Sequence, residues 1–172
     1  MLRGTVVELR MVREADLDEL FERLSDLRAK GDYFPLGVMS EPALRSEYAE
    51  SGFWKPDEGM LLMIGSGNEI VGEVEFFPIA SYLAGYEISY QLFGAEHAGK
   101  GYTSEAVRLL ADYIFARKRV ERVQLNIHPD NEASRRVAQK AGFTFEGVMR
   151  RCWFHRGEYH DLEVWSLLRD DV

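Results

Sequence analysis

A chain of 172 residues that is 46% hydrophobic and 29% charged can bury a core without staples, and a single domain over residues 1–172 is expected. Its net charge of −8 argues against nucleic acid as the main partner and is compatible with a cationic amine, although solubility alone accounts for it. No apolar run is long enough to span a bilayer, Met1–Thr5 lacks the apolar core of a signal peptide, and the lone Cys152 excludes an internal disulfide, so no membrane partner and a reducing cytoplasm are expected.

In chain order, Val6, Val7, Leu9 and Met11 read as an opening strand. A helical stripe follows from about Glu14, through Leu17, Leu20, Phe21, Leu24 and Leu27. Gly31 and Pro35 break it. Ser40-Glu41-Pro42 then starts a second helix, with serine as N-cap and proline in the first turn. Between the two, Asp32–Gly37 is aromatic for a loop; Tyr33 and Phe34 either line a substrate pocket or tuck onto the core. Strand candidates are Met60–Gly65, Ile70–Phe77 and Gly85–Phe93. In Ile70–Phe77, strict alternation puts Ile70, Gly72, Val74 and Phe76 on one face and Val71, Glu73, Glu75 and Phe77 on the other. Arg122–Ile127 is a further strand, and His128–Asn131 turns into a short helix that ends with Gly142 at C′. Strands near Phe143–Phe154 and Glu158–Leu168 meet at a turn containing Gly157. The chain has no repeat and no linker, and one mixed sheet with helices on both faces, an α/β architecture, is its natural packing.

Gly99-Lys100-Gly101-Tyr102-Thr103-Ser104 stands between a strand and a helix whose buried stripe is Val107, Leu110, Ala111, Ile114 and Phe115. Two glycines let the backbone turn tightly with no Cβ facing a ligand, and the amides that open the helix lack partners. The positive end of the dipole adds to them, making an anion site suited to phosphate; the alternative is that glycine serves the shape of the turn alone. Tyr102 after Gly101, where a nucleotide P-loop has Lys-Ser/Thr, excludes that motif.

These segments resemble the GCN5-related N-acetyltransferase superfamily, and within it the group of the ribosomal-protein N-terminal acetyltransferases. Tyr86–Leu92, Gly99–Ala106, Asn131–Val137, Gly142–Gly147 and Gly157–Asp161 carry the resemblance, in the family's order and at its spacing over nearly the whole chain. It implies a seven-stranded mixed sheet with a V-shaped split between Gly85–Phe93 and Arg122–Ile127, where acetyl-CoA binds as cosubstrate. By the resemblance, pantetheine pairs with the backbone of Gln91, Leu92 and Phe93. The pyrophosphate lies on the amides of His97, Ala98, Gly99, Lys100, Gly101, Tyr102, Thr103 and Ser104. The superfamily often has Arg or Gln three residues before the first glycine; here Glu96 stands there and is expected to face solvent. Asn131 is implied near the pantetheine amides and Ser134 near the departing sulfur, against the alternative that Asn131 merely caps its helix. Many relatives use a tyrosine to protonate that sulfur. None follows in this helix, so Ser134, or water held by it, takes the role.

Attack on a thioester requires an amine that has lost a proton, usually to a carboxylate, and N–H donors for the oxyanion, expected near Leu92. Glu87 matches a base-bearing glutamate of some superfamily members; the alternative is a carboxylate paired with an arginine of a neighbouring strand. Glu75, beside Glu73, is the second candidate base and, with Tyr33 and Phe34, a candidate for holding the acceptor. Some ribosomal-protein enzymes carry the base at the position occupied here by Trp153, which takes no proton. Cys152 reads as buried filler. His155, His160 and Asp161 lie near the last turn without three ligands on facing positions, so no metal is expected; Asp161 fixes the hairpin or pairs with Arg150 or Arg151. The expected activity is direct acetyl transfer to a primary amine, with a protein N-terminus ahead of a small amine such as an amino sugar, amino acid or antibiotic. A non-catalytic acyl-CoA-binding module is the alternative of another class, and a homodimer is left open.

Overall fold

The computed structural model describes every residue of the chain except Ala29 and Ser81. Its strands are β1 (Leu2–Arg3), β2 (Glu8–Met11), β3 (Gly59–Ile64), β4 (Ile70–Pro78), β5 (Gly85–Leu92), β6 (Arg122–Ile127), β7 (Thr144–His155) and β8 (Glu158–Leu168). Its helices are α1 (Leu17–Ser25), α2 (Glu41–Ser51), α3 (Tyr102–Arg117) and α4 (Glu132–Lys140). All the strands join one sheet in the order β1-β2-β3-β4-β5-β6-β8-β7. The additional strand beyond the seven expected is β1, whose two residues pair at Leu2↔Leu9 and Arg3↔Glu8 and are too few to show a period.

Helix α3 buries Ala106, Val107, Leu110, Ala111, Ile114 and Phe115 against Val74, Phe76, Ile88 and Leu125 on one face of the sheet. The other face is covered by α1 and α2, through Leu17, Leu20 and Leu44 against Leu62, Ile64 and Phe93. A fully buried leucine among these contributes roughly 1.5–3 kcal/mol. Strict alternation fails at the start of β4. The register passes from Ile64↔Ile70 to Met63↔Gly72, leaving Val71 as an extra residue. That bulge sends Val71 into the α3 core and Ile70 to the opposite core, the reverse of the expected faces.

The caps read from the sequence are present. Ser40 Oγ accepts from Ala43 N at 3.4 Å, and Asn131 Oδ1 accepts from Ser134 N at 3.1 Å. Gly142, with φ 91°, ends α4 in the left-handed conformation that glycine tolerates. Glu105, in the first turn of α3, accepts from the amides of Thr5, Val6 and Val7 at 2.6, 2.7 and 2.8 Å, pinning the chain between β1 and β2 to the helix. A Cβ at Gly4 would collide with that carboxylate.

One interruption of the sheet positions the site. β5 and β6, the parallel pair, are joined only at Gly85↔Arg122, Tyr86↔Val123 and Glu87↔Gln124. Past Glu87, β5 continues along β4 to Leu92↔Gly72, while β6 continues along β8 to Ile127↔Glu163. The edges of β5 and β6 therefore face each other across a gap, which is the split that the resemblance implied.

Candidate active site

A cleft of about 920 Å³ occupies this gap, lined by β5, β6, the start of α3, α4 and the segment before α2. Strand pleating assigns its walls. Ile88, Tyr90 and Leu92 face the α3 side of the sheet, packed in or against that core. Phe93 lies in the opposite core, so Glu87, Ser89 and Gln91 share its face.

Glu87 is half-buried at the vertex of the split, where Asn126 Nδ2 donates to its Oε2 at 2.7 Å. Burial pushes its carboxyl up to about 7, against the opposing pull of Gln124 and Asn126. Its partners are thus neutral amides from β6 and not the arginine that was the alternative. A carboxylate that titrates near neutrality is suited to taking a proton from an amine.

On the other face stands a residue the sequence reading missed. The Tyr90 hydroxyl is buried with no hydrogen-bond partner. Burial pushes its phenol up to about 12, with Ser134 of α4 acting in the opposite direction. Tyr90 and Ser134 both line the cleft. The spacing of three from Glu87 places the two side chains on opposite faces of β5, which was legible in sequence. The approach of Ser134 was not, because it depends on how α4 packs.

At the start of α3, Gly99 and Gly101 adopt φ 77° and 86°. A Cβ at Gly99 would meet nothing within 4 Å, and at Gly101 only Val6 Cγ2 at 3.8 Å, so the backbone angle demands glycine here and packing does not. Gly101 supplies no side-chain cap, and Glu105 N is the first helical amide bonded back, to Gly101 O at 3.1 Å. The amides of Tyr102, Thr103 and Ser104 precede it and have no partner within the helix. The donor set is shorter than expected at its beginning: His97 N donates to Gly94 O at 3.3 Å and Ala98 N to Ala95 O at 3.0 Å. The His97 side chain is buried, with Nδ1 unbonded; Glu69 Oε1 lies 3.9 Å from Nδ1 and Glu96 Oε1 3.6 Å from Nε2. The Glu96 side chain itself is exposed, as expected. The Lys100 side chain lines a separate hollow of about 540 Å³ with Arg3, Glu8 and Ser66.

Two further expectations are corrected. Phe93 N donates to Val71 O at 2.8 Å and its ring is buried among α1 and α2, so it offers no free edge; alternation turns the backbone of Leu92 toward the gap instead. Glu75 does not line the cleft. It pairs with Ser89 one strand away from the split, and burial raises its carboxyl, with Glu47 and Glu58 adding to the rise. Its neighbour Glu73 is fully buried with both oxygens unbonded; burial first, then Glu75, drives its pKa well up.

Tyr33 and Phe34 line the cleft, as does Trp153, while the described residues of the 80–85 loop do not; Ser81 lies outside the described residues. Cys152 is exposed, not buried, because a register shift in β7 between Met149 and Trp153 turns it outward. Asp161 fixes the hairpin: its Oδ1 accepts from Arg151 N at 2.7 Å where Arg151 takes φ 50°. Among the described residues no group of three or more His, Cys, Asp or Glu could hold a metal, and no helix is long and apolar enough to cross a membrane.

A family profile described as an acetyltransferase (GNAT) domain matches residues 7–144. The probable N-acetyltransferase YjcK of Bacillus subtilis is 31% identical, over 99% of this chain and 98% of its own. Among solved structures, RimL, a ribosomal L7/L12 alpha-N-protein acetyltransferase in complex with coenzyme A, superposes with a TM-score of 0.81 at 23% identity, covering 98% of this chain and 97% of that one. Spermidine N-acetyltransferase from Vibrio cholerae, in complex with CoA and spermine, gives 0.82 at 20% identity, covering 98% of each chain. At these identities the two structural likenesses are likenesses of fold.

Proposed function

The chain belongs to the GNAT acetyltransferase family, and from that membership we propose that it moves an acetyl group from acetyl-CoA directly to a primary amine at the β5–β6 split. The observation that carries this reading is the placement of Glu87 on one face of the split and of Tyr90 and Ser134 on the other.

Bound acetyl-CoA supplies the activated acetyl thioester. The unpaired amides of Tyr102, Thr103 and Ser104, behind the Gly99–Gly101 turn, are suited to its diphosphate, and the open backbone edge at Leu92 to its pantetheine; Gln91, with the parity of Phe93, turns its backbone to β4. Glu87 takes the proton from the incoming ammonium, and Asn126 keeps the carboxylate aimed. The Leu92 amide offers a donor to the carbonyl oxygen as charge develops there. Ser134, with the Tyr90 hydroxyl behind it, offers hydrogen to the departing sulfur. Asn131 caps α4 and thereby fixes Ser134.

For the acceptor, a protein N-terminal α-amine is the first reading, supported by the sequence segments Tyr86–Leu92, Gly99–Ala106 and Asn131–Val137 that resemble the ribosomal-protein group. A small amine is the second, favoured by the aromatic lining of Tyr33, Phe34 and Trp153. A binding module without turnover would have a cofactor turn and no base, a description that Glu87 does not fit. Thiol release from acetyl-CoA across N-terminal peptides and small amines tests the reading. Release with at least one acceptor, lost in Glu87→Gln, supports it; tight acetyl-CoA binding with no acceptor-dependent release overturns it.

A further inference from the structure

Three histidines outside the acid and base positions form a directed chain of hydrogen bonds across the acceptor side of the cleft. Asp130 N lies 3.1 Å from His128 Nδ1. A backbone N–H can only donate, so Nδ1 accepts and the ring proton of neutral His128 sits on Nε2. His128 Nε2 is 3.2 Å from His160 Nδ1, and His160 Nε2 is 3.1 Å from the His155 carbonyl oxygen. That carbonyl can only accept, so His160 carries its proton on Nε2 and accepts at Nδ1. Backbone groups at both ends therefore fix every donor and acceptor between them. His155 Nε2 in turn donates to Asp32 O at 2.8 Å.

What this chain holds is the aromatic wall of the cleft. The Tyr33 ring stacks on His128 at 4.8 Å and 27°, and Trp153 stacks on His155 at 4.2 Å and 13°. Trp153 also meets His128 edge-on at 6.4 Å. Segment 31–33 is tied to the β7–β8 turn by the His155–Asp32 bond, by Arg156 Nη2 to Gly31 O at 3.4 Å, and by Arg156 Nη2 to Asp32 Oδ1 at 3.6 Å. Tyr33 and Trp153 line the cleft; His155 is buried behind them.

We propose that Tyr33 and Trp153 are specificity-determining residues that select an acceptor bearing a flat or apolar group beside its amine, and that neutral His128 and His160 are the positioning residues that hold them. This rests on the acetyl-transfer reading of the same cleft. A second proton on His160 would set its Nδ1–H against the Nε2–H of His128, and one on His128 would set Nδ1–H against Asp130 N–H. The charged groups facing the three rings among the described residues are Asp130, with Oδ2 3.9 Å from His128 Nδ1, and the Asp32–Arg156 pair at the His155 end.

The test has two arms on the full chain. Long-range ¹⁵N–¹H correlation spectra at pH 7.5 should show His128, His155 and His160 all as Nε2–H tautomers; an Nδ1–H tautomer at His128 or His160 overturns the proposal whatever the activity. The second arm compares acceptor KM for 2-phenylethylamine and ethylamine. Trp153→Ala and His160→Phe should each raise the aryl amine's KM roughly three- to tenfold more than that of ethylamine, with the acetyl-CoA KM unmoved. His160→Asn keeps an acceptor near the Nδ1 position that His128 Nε2 meets, so it should restore the preference that His160→Phe loses. Equal changes for both amines, or a preference that His160→Asn fails to restore, overturn the positioning role. If no amine or N-terminal peptide supports thiol release, the acetyl-transfer reading falls. The wall is then judged by direct calorimetric binding of 2-phenylethylamine: binding that Trp153→Ala does not weaken overturns it.

Discussion

Replacing Glu87 by glutamine exchanges a carboxylate for a neutral amide of nearly the same shape, whose carbonyl can still accept from Asn126 Nδ2. The wild-type carboxyl is raised by burial from its ordinary 4.5 to about 7, which corresponds to roughly 3 kcal/mol held against the charged form. Because the folded value lies above the unfolded one, the penalty on the folded state is full above about pH 7 and fades as pH falls toward 4.5. Glu87→Gln is therefore expected to be more stable than wild type at pH 8 by up to about 3 kcal/mol, roughly 6–10 °C in Tm for a chain of this size, and nearly equal to it at pH 4.5. Turnover should move the other way. Loss of a general base should lower kcat by about 10²- to 10⁴-fold and remove the acidic limb expected of wild type near pH 7. Calorimetry at the two pH values and thiol-release rates from pH 5.5 to 9 measure both effects. A variant that keeps wild-type turnover with its acidic limb intact would refute Glu87 as base. One less stable than wild type at pH 8 would refute the desolvated carboxylate on which the role depends.

Tyr90→Phe removes a buried hydroxyl that Ser134 approaches without a completed hydrogen bond, so stability should hold within about 1 kcal/mol while kcat falls and the acetyl-CoA KM stays near wild type. Ser134→Ala should show the same split between kcat and KM; a loss of binding without loss of kcat would point to a role in seating the cofactor instead. Gly101→Asp places a negative charge and a strained φ of 86° at the opening of α3, and acetyl-CoA affinity measured by calorimetry should fall at least about tenfold. Unchanged affinity would displace the diphosphate from this turn. Glu105 is raised by burial but lowered on balance by its three backbone donors, so it stabilises the fold above about pH 4.5 and loses that contribution as pH falls through its depressed value. Glu105→Ala should lose roughly 2–4 kcal/mol at pH 7, discounted for nearby solvent, and progressively less toward pH 3 in urea titrations.

Local signals in the sequence carried far into the fold. Ser40 and Asn131 cap helices because short polar side chains reach the first amides, and the stripe from Val107 to Phe115 is the buried face of α3. Glycine at 99 and 101 announced left-handed turns that no other residue adopts easily. The signal weakened where the outcome depended on neighbours distant in sequence. The bulge at Val71 arises from register with β3, so simple alternation misassigned Ile70 and Val71. Glu75 has the residue type and strand parity of a base, but its distance from the split follows from strand order, which periodicity does not encode. Tyr90 went unnoticed because an orphaned hydroxyl is visible only once its surroundings are packed. His155, His160 and Asp161 read as a failed metal cluster and His128 as part of a turn, because the bonding of His128 and His160 is set by two backbone groups, Asp130 N–H and the His155 carbonyl.

The seat of acetyl-CoA is the claim on which the rest depends, and amide chemical-shift mapping on the ¹⁵N-labelled chain tests it most directly. Titration with acetyl-CoA should move the amides of Gly99–Ser104 and of Leu92 most, and leave Phe93, already bonded to Val71, nearly still. Shifts centred on Arg3–Glu8 and the hollow beside the Lys100 side chain, with the β5 edge unmoved, would contradict the account.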